Sequence, residues 1–117
     1  MTSLETAKLA AKALSAKKGL DIKVIKIDDI SVLADYMVIA TGTSSTQVKA
    51  MADHVEYELG ESGISVSHIE GYRSNTWILM DYIDVIVHIF IDETREFYDL
   101  ERLWKDGENI DISDIVD

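Results

Sequence analysis

Two aspartates, Asp81 and Asp84, flank a short break between two apolar runs and are the first residues whose spacing suggests chemistry. Carboxylates that close could hold a divalent ion. In metal-dependent nucleotidyl transfer, a Gly-Ser turn precedes paired strand carboxylates that hold two metals, and Thr41-Gly42-Thr43-Ser44-Ser45 supplies such a turn. The spacing argues the other way. Carboxylates share one face of a strand when they alternate as Asp-x-Asp; here they read Asp-x-x-Asp, and no third strand carboxylate is obvious. Two solvated turn aspartates are the simpler expectation. The Thr41–Ser45 junction could also receive a phosphate on backbone amides. It lacks the lysine of a P-loop and the GxGxxG of a dinucleotide site, and reads as a turn with a helix N-cap. His54, His68 and His88 lack metal-ligand spacing. His88, among apolar residues, is expected to be a hydrogen-bonded structural histidine. No serine stands beside a base in a nucleophile motif, and there is no cysteine. No catalytic, cofactor-binding or metal-ligating residue is therefore assigned.

A tryptophan near carboxylates is a different kind of site. Trp77 opens a strand-length apolar run, and a second run follows Asp84. Both are rich in β-branched or aromatic residues, which predicts a β-hairpin within the stretch Asn75–Phe90. A two-residue loop at Tyr82-Ile83 sets Asp81 against Asp84, Leu79 against Ile86 and Trp77 against His88. Alternation then gives one face to those six residues and the other to Ile78, Met80, Val85 and Val87. The all-apolar face is the one expected to be buried. The mixed face suits a contact surface, and tryptophan ringed by carboxylates suits a partner presenting Arg or Lys.

The elements that position this hairpin follow in chain order. Thr2–Lys18 is predicted as a helix, with Thr2-x-x-Glu5 as a capping box and Gly19 as its left-handed stop. Strands are expected at 22–27, 35–40 and 64–69, and a helix between the last two, opened by Ser44-x-x-Gln47, with Val48, Met51, Ala52, Val55 and Leu59 as its apolar stripe. A last helix, capped by Thr94 or Asp92, is expected to run through Trp104 and to pack Phe97, Leu100 and Trp104 on the sheet. The fold class is α/β in the α+β sense: a mixed sheet of about five strands with helices mainly on one face, leaving the other face partly open. Residues 1–105 form one domain, and 106–117 an acidic tail.

Composition narrows the partners. The 117 residues, 47% hydrophobic, suit one domain with a real core. The net charge is −11. That makes direct nucleic-acid contact slight and an anionic membrane unfavourable, and it favours a basic protein. The N-terminus is not a signal peptide, and no apolar run spans a bilayer. A cytoplasmic location is expected.

Three blocks in order resemble the ribosomal silencing factor (Iojap-like) family: 35–44, beginning Asp-Tyr-Met-Val-Ile-Ala-Thr-Gly; Glu70-Gly71 with Trp77 and 81–90; and 95–104, beginning Arg-Glu-Phe-Tyr. The chain departs from that pattern at Ile83, where the family usually has glycine, and at Asn75-Thr76. The resemblance implies a fold similar to nucleotidyltransferases without their catalytic carboxylates, and a binding protein instead of an enzyme. It implies docking on the large ribosomal subunit through ribosomal protein L-fourteen, a block on subunit joining that lowers translation when nutrients are scarce, and a homodimer. Together with strand parity it nominates Glu70, Trp77, Leu79, Asp81, Tyr82 and Asp84 as the partner-binding surface. A metal-dependent nucleotidyltransferase of similar fold is the alternative.

Overall fold

The computed structural model describes residues 2–71, 73 and 76–116, without the side chains of Phe97, Tyr98 and Leu103. The expectation that Phe97 packs on the sheet, and the Tyr72, Ser74 and Asn75 positions before the hairpin, lie outside the described residues.

Helix α1 spans Ser3–Ala16, and its capping box forms as expected: the Thr2 hydroxyl accepts from Glu5 N–H while the Glu5 carboxylate accepts from Thr2 N–H. Ala7, Ala10, Ala11 and Leu14 form its buried stripe. Its stop differs from expectation. Lys18 takes the left-handed conformation, at φ 67°, and Gly19 does not. Gly19 is required for space instead, since a Cβ there would sit 2.8 Å from Met51 Cε and 2.9 Å from the Leu14 carbonyl oxygen.

Strands β1 (Leu20–Lys26) and β2 (Tyr36–Gly42) follow, then helix α2 (Ser45–Glu61), strands β3 (His68–Glu70), β4 (Trp77–Asp81) and β5 (Val85–Ile91), helices α3 (Asp92–Tyr98) and α4 (Leu100–Leu103), and strand β6 (Glu108–Asn109). The sheet has six strands in the order β3-β4-β5-β2-β1-β6. The central pair β2 and β5 is parallel, and every other neighbour is antiparallel. The sixth strand comes from the acidic tail. Its Glu108 and Asn109 pair with Lys26 and Ile25, and Ile112 beyond them is buried against the helix-covered core. β3 is shorter than the expected 64–69 strand; Ile64 and Val66 pack on the core as irregular chain. The expected single C-terminal helix is broken at Asp99, which is left-handed at φ 45°.

Helices α1 and α2 cover one face of the sheet, where Val38, Ala40, Ile78, Met80, Val85, Val87 and Ile89 meet Leu14, Val48, Met51, Val55 and Leu59. A second, smaller cluster lies on the opposite face: Ile25, Ile27, Met37, Ile39 and Phe90, with Trp77, Ile86, Leu100 and Trp104 half-buried against it. The layers are thus α1 and α2, then sheet, then a partial cover by α4 and the chain after it.

The faces of β4 and β5 are as predicted, except that Asp84 leaves the mixed face for the turn, and the register is displaced by two residues. Trp77 pairs with Phe90, Leu79 with His88 and Asp81 with Ile86. The loop is Ile83-Asp84, because Tyr82 extends the strand and donates its N–H to the Val85 carbonyl at 2.9 Å. That extension puts the Tyr82 ring on the helix-covered side beside Met80, only 7% exposed, and burial of the aromatic ring favours this register. The turn closes tightly. Asp84 N–H donates to the Tyr82 carbonyl at 2.9 Å, with Ile83 between them at φ 75°, a γ-turn with a positive central residue. The Asp81 carboxylate accepts from Ile83 N–H at 2.7 Å. The Asp84 carbonyl accepts from Asp35 N–H and Tyr36 N–H at 2.8 and 3.1 Å. These contacts hold a β-branched residue where glycine would sit without strain.

Candidate functional site

Strand pairing brings the nominated side chains into rows on the face that α1 and α2 leave bare. Glu70 lies across from Leu79, Leu79 from His88, and His88 from Ile39; in the next row His68, Asp81, Ile86 and Met37 are neighbours. Trp77 continues the set beside Phe90. Glu70 is exposed, while Trp77, Leu79 and Asp81 are half-buried. Two nominated residues fall elsewhere. Tyr82 is buried on the helix side, which removes it from the surface. Asp84 is exposed but lines a hollow with Ser3, Ser62 and Val85 on that same side. Asp81 and Asp84 therefore diverge and do not form the paired carboxylates of a nucleotidyl-transfer site. The hollow at the Gly42–Ser45 junction has Asp92 and Glu93 on its other wall, an unfavourable setting for a phosphate.

The bare face carries an apolar groove of about 270 Å³. Trp77, Leu79, Ile86, His88 and Met37 line it from the sheet; Leu100 and Trp104 form one wall, and Ile27 and Leu33 close the end. Gly71 fixes where β4 begins. It sits at φ 79°, and a Cβ there would fall 1.9 Å from the Trp77 carbonyl oxygen.

His88 and Trp77 are locked together. The Trp77 indole N–H donates to His88 Nδ1 at 3.1 Å, which requires an unprotonated Nδ1 and leaves the ring proton on Nε2. The Trp77 ring stacks on Phe90 at 5.1 Å between centroids. His88 is buried, and desolvation lowers its pKa to about 4, so the imidazole is neutral at physiological pH. The expectation of a hydrogen-bonded structural histidine is met, and its partner is Trp77. Trp77 is consequently held in one orientation before any partner arrives.

The wall is held by an ionic cluster that the sequence pattern does not announce. Arg95 of α3 is buried and donates from Nη1 to the Asp21 carbonyl at 2.8 Å and to Thr41 Oγ1 at 2.7 Å, and from Nε to Glu101 Oε1 at 2.8 Å. Lys23 of β1 pairs with the other Glu101 oxygen. The Arg95 hydrogen bond, with Lys23 adding to it, draws the Glu101 pKa down to about 2. Both helices are thereby tied to β1 and β2, and Leu100 and Trp104 are set against the sheet. The sequence offered no local signal for this. Arg95 and Glu101 are not helical neighbours; they meet only because the chain reverses at Asp99.

A family model described as "Ribosomal silencing factor during starvation" matches residues 1–117. The chain belongs to the ribosomal silencing factor family. Among its relatives, "Ribosomal silencing factor RsfS" of Halalkalibacterium halodurans is 34% identical over 116 residues, covering 99% of both chains. "Mitochondrial assembly of ribosomal large subunit protein 1" of Mus musculus is 32% identical over 94 residues, 78% of this chain and 41% of that protein. A crystal structure of a Chromobacterium violaceum protein superposes with a TM-score of 0.88 at 38% identity, covering 97% of this chain and 93% of that one. Ile83 stands at a φ that glycine adopts freely.

Proposed function

We propose that the bare sheet face docks this silencing factor on the large ribosomal subunit through ribosomal protein L-fourteen and sterically blocks joining of the small subunit, lowering translation when nutrients are scarce. The observation that carries the reading is the apolar groove around the pre-oriented Trp77, with Glu70 and Asp81 beside Leu79 on the same face. A buried aromatic anchor with a charged rim is how a protein interface concentrates its binding energy. The relatives' names, one a silencing factor and one an assembly protein of the large ribosomal subunit, point to the same partner. At a net charge of −11 the chain attracts a basic ribosomal protein and makes little direct contact with RNA phosphate.

The role is steric, with no catalytic step, in the cytoplasm and away from membranes; among the described residues no helix is long and apolar enough to cross one. A homodimer of the free protein belongs to the same reading. Glu108 and Asn109 add a short strand along the β1 edge, so the acidic tail belongs to the same folded unit in this reading. The experiment is sedimentation of large and small subunits with and without the protein. The protein should co-sediment with the large subunit and reduce the joined particle. Unchanged joining at saturating protein would reject the reading.

A further inference from the structure

We propose that residues Ile30 to Leu33, in the connection between β1 and β2, form a second anchor of the docking face and seat against the same basic protein that fills the groove. The proposal rests on the docking reading above. Three of these four consecutive residues are apolar and turned outward: Ile30 is 42% exposed, Leu33 67%, and Val32 fully exposed. They are held there by a formed turn. Ile30 N–H and Ser31 N–H both donate to the Ile27 carbonyl, at 3.0 and 2.9 Å, and Leu33 N–H donates to Ser31 Oγ at 3.0 Å. An ordered segment that presents valine and leucine to water gains nothing from folding them there, and such a patch marks a contact surface.

The patch is continuous with the groove. Ile27, at the root of the turn, and Leu33 close the groove's end. Asp35, at the far side of the loop, donates its N–H to the Asp84 carbonyl, so the loop and the exposed Ile83 stand at the same end of the sheet. Charge selects the occupant. Asp29 is exposed beside the loop, as is Asp28, which pairs with Lys26 at 3.9 Å, and Asp81 and Glu70 stand on the β4 and β3 side of the groove, leaving carboxylates in excess. An apolar ridge flanked by Lys or Arg complements that arrangement. A second copy of this acidic chain would set carboxylate against carboxylate.

The test uses the full chain and the isolated large subunit, with wild type, Val32→Ser, Val32→Lys and the groove variant Leu79→Asp. Val32 touches little of its own fold, so both of its variants should melt like wild type. Val32→Ser should weaken binding about tenfold, and Val32→Lys more, since the added cation faces a basic partner. If Leu79→Asp loses binding while both Val32 variants bind like wild type, the groove docks and the loop does not, which overturns the inference alone. If Leu79→Asp also binds like wild type, the docking reading falls and the inference with it. Sedimentation equilibrium adds one more contradiction: Val32→Ser dissociating a dimer while subunit binding stays intact would make a second copy the occupant.

Discussion

His88 makes the stability of the sheet sensitive to pH. The unfolded imidazole takes up a proton as pH falls through its ordinary 6.5, whereas the folded one resists until about 4. Between those values the unfolded state binds more protons, so stability rises with pH and is lost on acidification. Between pH 7 and pH 5 the loss should be about 2 kcal/mol, because one proton taken up by the unfolded chain alone costs roughly 1.4 kcal/mol for each pH unit crossed. Urea titration at the two pH values checks this: wild type should lose more stability than His88→Gln, and equal losses would mean that His88 is not desolvated. Ile83 offers a second test at this scale. Its φ of 75° is strained for a β-branched residue and its side chain is 67% exposed. Ile83→Gly should therefore stabilise by about 1 kcal/mol, the relieved strain offset partly by the freer unfolded chain. A lower melting temperature would show that the isoleucine side chain carries more than the backbone strain costs. The face of each β4 and β5 residue was legible, because alternation survives any even displacement of register. The burial of Tyr82 was not, since it depends on which two residues form the loop.

The first two helix starts were legible, because a cap is a local hydrogen-bond pattern; the third was not, since α3 opens at Asp92 after Ile91 with no side-chain cap, where the sequence predicts Thr94 or Asp92 to cap it. Ser44 accepts from Gln47 N–H at 3.1 Å, as the sequence predicts. The second half of the expected box is displaced: the Gln47 side-chain oxygen accepts from Thr43 N–H and Oγ1, and its amide donates to the Lys17 and Lys18 carbonyls at the end of α1. Gln47 therefore couples the two helices. Ser44→Ala should cost about 0.5–2 kcal/mol in thermal or urea unfolding, with binding to the large subunit retained by the folded protein. Lost binding at unchanged stability would give this junction a contact role. Helix ends and short strands were less legible. Asp99 carries no glycine signal for its left-handed turn, and β6 pairs through two residues whose polarity reads as loop. Both depend on tertiary contacts, the Arg95 cluster in one case and the open edge of β1 in the other.

At the scale of the molecule, two long helices saturate one face of a six-stranded sheet and leave the other to a short helix and a groove. That asymmetry followed from the sequence, whose apolar stripes supply two covering helices. The groove did not, because its wall comes from α4, whose direction is set beyond the Asp99 break. Trp77 is a less clean probe of docking than parity alone implies, since its hydrogen bond to His88 and its stacking on Phe90 also support the fold. Leu79 is the better one: it lines the groove, half-buried, at the centre of the face. The decisive measurement is a titration of Leu79→Asp against the isolated large ribosomal subunit, with its melting curve beside that of wild type. Leu79→Asp should stay folded and bind more weakly by more than about 2 kcal/mol, roughly thirtyfold. A folded Leu79→Asp protein that binds the subunit as tightly as wild type would contradict docking through this face.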